Sequence, residues 1–562
     1  MHINIAKVNF KSIGINIAKV DFGLYDSGGG VEYYGMYITP AGDSAISVTP
    51  NSNYYTLHGK YLKYSLDGKT WDDWNGSVTI EPKQKMYING EDDYVCNNST
   101  SDKLITASGY YNVGGDISSL TNFNTEVKEY TFRSLFNGDK FIKDASNLVL
   151  PATTLASYCY YQMFIGCTSL TAAPKLPATT LTSYCYYQMF QGCTSLETAP
   201  ELPATSLAYQ CYYNMFSGCT SLITAPELPA TTLTSYCYYQ MFQGCTSLTA
   251  APKLPATTLA QECYRAMFNG CSSLTTAPEL PATRLTPQCY AGMFQGCISL
   301  TTAPSLPATK LASNCYQQMF WDCSSLATAP ELPATKLESA CYIKMFRGCK
   351  SLTTAPSLPA MELADHCYQE MFLNCTSLTT APKLPATKLV DYCYYYMFYN
   401  CTSLATAPAL PATVLAPRCY RSMFQDCKSL KTAPELPATV LANYCYQNMF
   451  QNCTSLTTAP ELPATELADY CYNGMFQNCT SLTAAPVLPA MVLAPHCYHS
   501  MFHSCTSLNS ITMLATDISA SDCLIYWVSG VSSTGTFIKS PEMTTLPTGA
   551  SGIPSGWTVV NK

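Results

Sequence analysis

At 562 residues the chain is too long for one ordinary compact core, so several domains or an extended array are expected. Charged residues make up only 12% against 47% hydrophobic, and 42 tyrosines take over part of the surface that Lys and Glu usually cover. A net charge of -7 without a Lys/Arg cluster argues against a nucleic-acid partner, and no stretch reaches the ~18 consecutive apolar residues of a membrane span.

The start, Met1-His2-Ile3-Asn4-Ile5-Ala6-Lys7, lacks the basic n-region and long apolar run of a signal peptide. As written the chain reads as soluble and not addressed for secretion, although one trimmed of its leader would look the same. Residues 1–128 show short alternating runs with turn signals. Tyr61-Leu62-Lys63-Tyr64-Ser65, then Asp67-Gly68, then Thr70-Trp71 is a hairpin signature, and the segment as a whole predicts a small β-sandwich. Ile3–Phe10 is nearly duplicated as Ile15–Phe22, so the first two strands read as sequence copies suited to attachment to a larger assembly. Ser65–Trp71 resembles the Asp-box hairpin of sialidase-like folds but is one residue short, and a plain Asp-Gly turn explains it.

From here the cysteines set the pattern. Twenty-eight of the 30 form pairs spaced by eight that recur every 26 residues, from Cys159/Cys167 through Cys185/Cys193 to Cys497/Cys505, without an insertion. A period in the range 20–29 is that of leucine-rich solenoids. Within one coil Leu181, Cys185, Tyr186, Met189, Phe190 and Cys193 fall at i, i+4, i+5, i+8, i+9 and i+12, which predicts the buried stripe of a helix of roughly three turns. The residue before the second Cys is Gly in seven coils and otherwise Asp, Asn or, once, Ser504, so a left-handed residue is expected to end each helix. Ser195–Pro203 should run extended, its two prolines limiting it to a short parallel ladder or a polyproline-like wall.

Such an array needs covers at both ends. Phe132–Asp139 matches the repeat with Asp139 in place of the second cysteine. Leu514–Cys523 keeps the register, but Trp527 and Val528 stand where Met-Phe would be. The expected fold is thus an α/β solenoid, with a β-rich module at 1–128, a cap at 129–158, fourteen coils at 159–510, and a C-terminal cap and tail at 511–562.

The motif A-P-x-L-P-A-T-x-L-x-x-x-C-Y-x-x-M-F-x-G-C-x-S-L resembles the BspA-type leucine-rich repeats, with Met163-Phe164-Ile165-Gly166-Cys167-Thr168-Ser169-Leu170 on their A-F-x-x-C-x-x-L core. The likeness covers about two thirds of the chain. It implies bacterial and parasite surface proteins that adhere to host proteins or other cells. The coil is longer than is usual for that family, and Pro174 sits where its strand would run.

Three chemistries were weighed. For the cysteines, a helix would hold the pair of one coil about 12 Å apart at ~1.5 Å per residue, too far for a disulfide, and C-x7-C is too wide for a structural zinc pair, so buried free thiols are favoured. His496, His499 and His503 could hold a metal on one helix face, but the equivalents of His499 elsewhere include Tyr161, Arg265 and Gln447, and exposed variable positions explain the three better. No nucleophile-elbow, HExxH or phosphate-loop signature is present, so no enzyme activity, metal or cofactor is expected.

The variable positions carry the functional reading. Tyr158, Tyr184, Tyr236, Tyr392, Tyr444 and Tyr470 stand just before the first Cys, and Tyr161, Tyr187, Tyr213, Tyr239 and Tyr395 two after it. They predict an exposed tyrosine ladder able to contact a protein or a glycan, with solvation and lateral packing as the alternative. A second ladder on the extended wall, including Lys175, Glu201, Glu227, Lys253 and Glu279, mixes signs and argues against one polyanionic ligand. The expectation is a non-enzymatic adhesion protein, at the cell surface or extracellular, whose solenoid face binds a protein or glycan on another cell. A tail-associated phage virion protein is the alternative, and ladder faces can also self-associate into a homo-oligomer or larger assembly.

Overall fold

The structure, a computed structural model, describes residues 24–25, 31–51, 62–91 and 103–562. The duplicated segments at 3–10 and 15–22, expected as strands and as a means of attachment to a larger assembly, lie outside the described residues.

The N-terminal part is β-rich. A six-stranded sheet runs in the order Ile142–Val149, Tyr111–Asp116, Tyr37–Pro40, Met86–Asn89, Lys63–Ser65, Asp72–Asp73, and a three-stranded sheet runs Val78–Ile80, Ile46–Pro50, Ile105–Ala107. Alternation sets the buried side: Ile38, Val48, Ile80, Met86, Ile88 and Val113 are all buried. Lys63 and Tyr64 pair antiparallel with Asp73 and Asp72, so the expected hairpin forms with its return strand two residues later than the Thr70-Trp71 signal. Its turn is closed by Asp67, whose carboxylate accepts from the backbone N–H groups of Lys69 and Thr70 and from the hydroxyls of Ser65 and Thr70. Those four donors hold its carboxyl well below the usual carboxylate range. The resemblance to an Asp-box therefore reduces to a satisfied Asp-Gly turn, with Gly68 at φ +71°.

Tyr111–Asp116 pairs parallel with Ile142–Val149, and Asp144 bridges parallel to Ala172, so the sheet leads into the wall of the first unit. Phe132 and Phe136 stack on Tyr160 and Phe164. Asp139, fully buried, accepts from Tyr111 Oη at 2.9 Å and Lys103 Nζ at 3.1 Å, which compensates a charge that could not stand alone there.

From there to Cys505, units of 26 residues stack in register. The core stripe is as expected: Leu181, Cys185, Tyr186, Met189, Phe190 and Cys193 are buried, with Leu196, Leu202 and Ala204 completing the unit. The expected helix is not there. Among the described residues the one helical element is the 3-10 turn Ile117–Thr121, and the cysteine-flanked segment of each unit is a ribbon of consecutive turns.

Backbone donors explain the ribbon. In the unit at Cys185, the N–H groups of Tyr187, Met189, Gln191 and Cys193 donate three residues back, to Tyr184, Tyr186, Gln188 and Phe190. The alternate N–H groups, of Tyr184, Tyr186, Gln188, Phe190 and Gly192, donate forward to Tyr209, Cys211, Tyr213, Met215 and Ser217 of the next unit at 2.8–3.1 Å. An α-helix would spend every donor on itself and leave adjacent units joined by side chains alone. The spacing also disfavours a helix: C-Y-x-x-M-F-x-x-C repeats every four residues, so at 100° per residue the stripe would drift about 80° from first to second Cys.

The geometry requires a left-handed residue at every fourth position. The residue before the second Cys has positive φ in all fourteen units, as its Gly/Asn/Asp composition foretold. Two further positions do too, the one before the first Cys (Tyr184, +63°) and the one before Met (Gln188, +54°). Each non-glycine there costs about 1–2 kcal/mol, against about 0.5–1.5 kcal/mol for each of the five inter-unit hydrogen bonds, so burial of the apolar columns must supply the surplus.

The proline-bearing wall makes single-residue parallel bridges, such as Thr198 with Thr224 and Thr224 with Ala250, as two prolines per unit allow. Full strands appear at the end, where Ser510–Met513, Thr536–Lys539 and Thr558–Asn561, all without proline, pair onto Ala484–Leu488 in a parallel four-stranded sheet, so the tail after Cys523 supplies two strands. Trp527, fully buried, donates from Nε1 to the Gly552 carbonyl and closes the apolar columns over Phe502.

Two outcomes test the ribbon. The far-UV circular dichroism of the full chain should lack the paired minima of α-helix, and a helical spectrum would refute the turn assignment. A β-carbon at Gly192 would meet only ordinary contact, 3.7 Å from Gly166 Cα, so φ decides there. Gly192→Asn should leave the thermal midpoint nearly unchanged, whereas Gly192→Val should destabilise by about 1–2 kcal/mol.

Candidate functional site

The interior of the array is made of protonated thiols, phenols and apolar side chains. Among the described residues 29 cysteines are buried with free thiols, in two columns that run along the array. Each second cysteine donates from Sγ to a Phe carbonyl of the preceding unit, as Cys193 does to Phe164 at 3.1 Å, so this column supplies small apolar bulk and a weak donor together. Burial pushes the thiols up, to about 12 for Cys219 and Cys271, which leaves almost no thiolate at neutral pH. Tyr160, Tyr186 and their equivalents form an equally buried column with rings about 5.9 Å apart.

The outer side of the ribbon is different. Four positions per unit lie on this side, half-buried in most units and buried in some, as at Asn214, Glu262, Glu370 and Ser422: the residue before the first Cys and those two, three and six after it. All eleven tyrosines expected as binding residues lie here, and they are half-buried rather than exposed. The reason is stacking along the array. Tyr158 lies on Tyr184 at 4.5 Å and 7°, and Tyr161, Tyr187, Tyr213 and Tyr239 form a continuous column at 4.6–4.8 Å with planes within 6°. Arg133 covers the Tyr161 end of that column and Arg265 the Tyr239 end. Tyr209, absent from the sequence reading, bridges the gap left by Gln210 by meeting Tyr184 and Tyr236 edge-on.

A second column follows further along. His366 stacks on Tyr392 at 4.6 Å, the Arg418 guanidinium sits between the rings of Tyr392 and Tyr444, Tyr444 stacks on Tyr470, and Tyr470 on His496 at 4.2 Å. Tyr395 meets Tyr392 edge-on and lies under Arg421. Between the two columns Trp321 carries Lys344 and Arg347 over its ring.

Two buried carboxylates order this face. Glu262 accepts from Tyr236 Oη and Arg265 at 2.8 Å each, and Glu370 pairs with Lys344 at 3.6 Å and with Arg347. Of the chain's six arginines, Arg133, Arg265, Arg347, Arg418 and Arg421 lie on this face, each over an aromatic ring, and Arg284 alone stands on the wall side. The sequence reading missed this grouping. Its signal was available, because Arg265, Arg347, Arg418 and Arg421 occupy only the ribbon's outer positions in the 26-residue frame, and Arg133 joins them once the two-residue offset of the first unit is allowed for.

The three histidines do not converge: His496 stacks on Tyr470, His503 Nδ1 meets Ser504 Oγ, and no group of three metal-ligating side chains forms among the described residues. The wall side offers shallow grooves between adjacent units, one of about 490 Å³ along Pro434, Glu435, Pro437, Pro460 and Glu461 and another of about 440 Å³ beside Lys253 and Glu279. Their charges differ from groove to groove, as the mixed ladder predicted.

The family model for the BspA type leucine rich repeat region matches residues 153–292, 261–405, 333–457 and 420–524, together about two thirds of the chain. The chain belongs to that family of leucine-rich repeat proteins, in a variant with a 26-residue unit whose ribbon replaces the expected helix. Neither the curated proteins nor the solved structures compared with it include a match. No helix among the described residues is long and apolar enough to cross a membrane.

The thiols also set an alkaline limit. Their folded pKa values lie above the unfolded value near 9, so the folded state keeps its protons where the unfolded state loses them. Stability should be flat with pH below about 9 and fall steeply from there toward 12. Iodoacetamide at pH 8 should leave Cys159–Cys505 unlabelled until denaturant is added, as mass spectrometry would show.

Proposed function

We propose that the chain is a non-enzymatic recognition protein of the adhesion type, displayed at a cell surface, whose ribbon face engages a protein on another cell. The observation that carries this reading is the composition of that face. Tyr, Arg and Trp are gathered on one side of a stack whose other outward positions are mostly Thr, Pro, Glu and Lys, and these three residue types dominate the energetics of protein interfaces. Stacking and cation–π contact also hold the side chains in place before a partner arrives, which lowers the entropy cost of binding.

A protein is favoured over a sugar by what the stacking leaves free. Sugar rings pack against open aromatic faces, whereas the faces of Tyr161, Tyr187, Tyr213 and Tyr239 are occupied by each other and by Arg133 and Arg265. Ring edges and phenolic hydroxyls remain, which suit the carbonyl groups and apolar side chains of a polypeptide surface. Burial and the neighbouring phenols raise the Tyr187 hydroxyl to about 12, so it stays a donor at any physiological pH.

The test is binding of the full chain to parallel arrays of cell-surface ectodomains and of glycans. Capture on the protein array is expected to weaken about tenfold or more in the Tyr184→Ala plus Tyr187→Ala double variant, in line with the loss of two hot-spot aromatics. Binding confined to the glycan array, or protein binding indifferent to the double variant, would overturn the proposal.

A further inference from the structure

Along the ribbon face the charges are not equally satisfied. Arg265 is paired with Glu262, and Lys344 and Arg347 share Glu370. Arg418 and Arg421 have no acidic partner and make no side-chain hydrogen bond among the described residues, and Arg421 Nε is buried without one. Both guanidinium groups nevertheless converge on one ring, at 4.6 Å and 5.9 Å from the centre of Tyr444. Arg418 is held on its other side by Tyr392 and Arg421 by Tyr395.

Two like charges side by side repel, and surrounding aromatic carbon removes part of the water that would screen them. Stacking on rings fixes each planar fork while its terminal Nη–H edge stays available, the Nε of Arg421 being buried. Such an arrangement costs free energy until an anion lies between the forks, and a planar oxyanion matches it with paired charge-assisted hydrogen bonds. We infer that Arg418 and Arg421 form an anion subsite that receives an Asp or Glu carboxylate of the protein partner.

The pattern of compensation selects one carboxylate rather than a polyanion. Every other cation over a ring between Arg265 and Arg347 already has its carboxylate, and a net charge of -7 repels a densely charged chain. The inference rests on the proposed reading of the ribbon face as a protein-binding surface, and it adds the chemistry of one contact.

The six arginines make the subsite directly observable. The full chain labelled with [15N]arginine has six Nε–H resonances, assigned by single Arg→Gln variants, and Arg284 on the opposite side serves as an internal control. The probes are a short peptide with one central Glu, its Gln counterpart, inorganic sulfate and a sialylated trisaccharide. The Glu peptide should shift the Arg418 and Arg421 resonances saturably and leave Arg284 in place, and the Gln peptide should not. Sulfate should compete with the Glu peptide. Arg418→Lys plus Arg421→Lys, which keeps the charge and loses the fork, should weaken peptide binding at least fivefold, with the Arg284 resonance reporting an intact fold. Shifts no larger at Arg418 and Arg421 than at Arg284, or equal affinity in the lysine variant, would overturn the subsite. A response to sulfate or to the trisaccharide but not to the Glu peptide would overturn the carboxylate assignment. Nine repeats separate Tyr184 from Arg418, so an unchanged peptide titration alongside protein capture that ignores the Tyr184/Tyr187 variant would mark failure of the broader reading and not of the subsite.

Discussion

Everything in the array depends on where the ribbon sends its N–H groups. One donor in two closes a turn within the unit and the next reaches the following unit, so backbone hydrogen bonds join successive units along the whole cysteine-flanked segment. That division requires a left-handed residue at every fourth position. Glycine and asparagine accept such a backbone at little cost, and tyrosine, glutamine and histidine accept it here because stacking on the adjacent unit adds what the backbone loses. Two of the three left-handed positions, those of Tyr184 and Gln188, also belong to the outer face.

The interior fits this reading. Cysteine, tyrosine, methionine and phenylalanine recur in columns one unit apart, and a residue in a column meets mainly its own copies above and below. A thiol is small enough for the tight turn of the ribbon and can still give a hydrogen to the Phe carbonyl of the preceding unit. Reactivity plays no part, since burial holds the thiols protonated. Uniform columns account for the insertion-free register, because one displaced residue would break contacts with two neighbours.

A face built in this way is ordered by the chain's own contacts. Ring stacking, guanidinium groups laid over rings, and the two buried carboxylates at Glu262 and Glu370 fix side chains that would otherwise be free to rotate. The variation from unit to unit along this frame gives each stretch its own chemistry: phenol edges between Tyr158 and Tyr239, a cation–carboxylate cluster around Trp321, and two unpaired guanidinium groups at Arg418 and Arg421.

The sequence by itself determined the 26-residue period, the family, the buried stripe from Leu181 to Cys193, the left-handed residue before the second Cys, and the limit that two prolines place on the wall. Each follows from local chemistry repeated in register. It also placed the eleven tyrosines on the outer side. Only the tertiary structure decided that the stripe belongs to a ribbon of turns, that Tyr184 and Gln188 are left-handed as well, that the tyrosine faces are occupied, and which arginines lack a carboxylate. Those features rest on contacts between residues 23–26 apart in the chain, and a backbone donor that can satisfy itself locally or in the next unit chooses only once that next unit is in place.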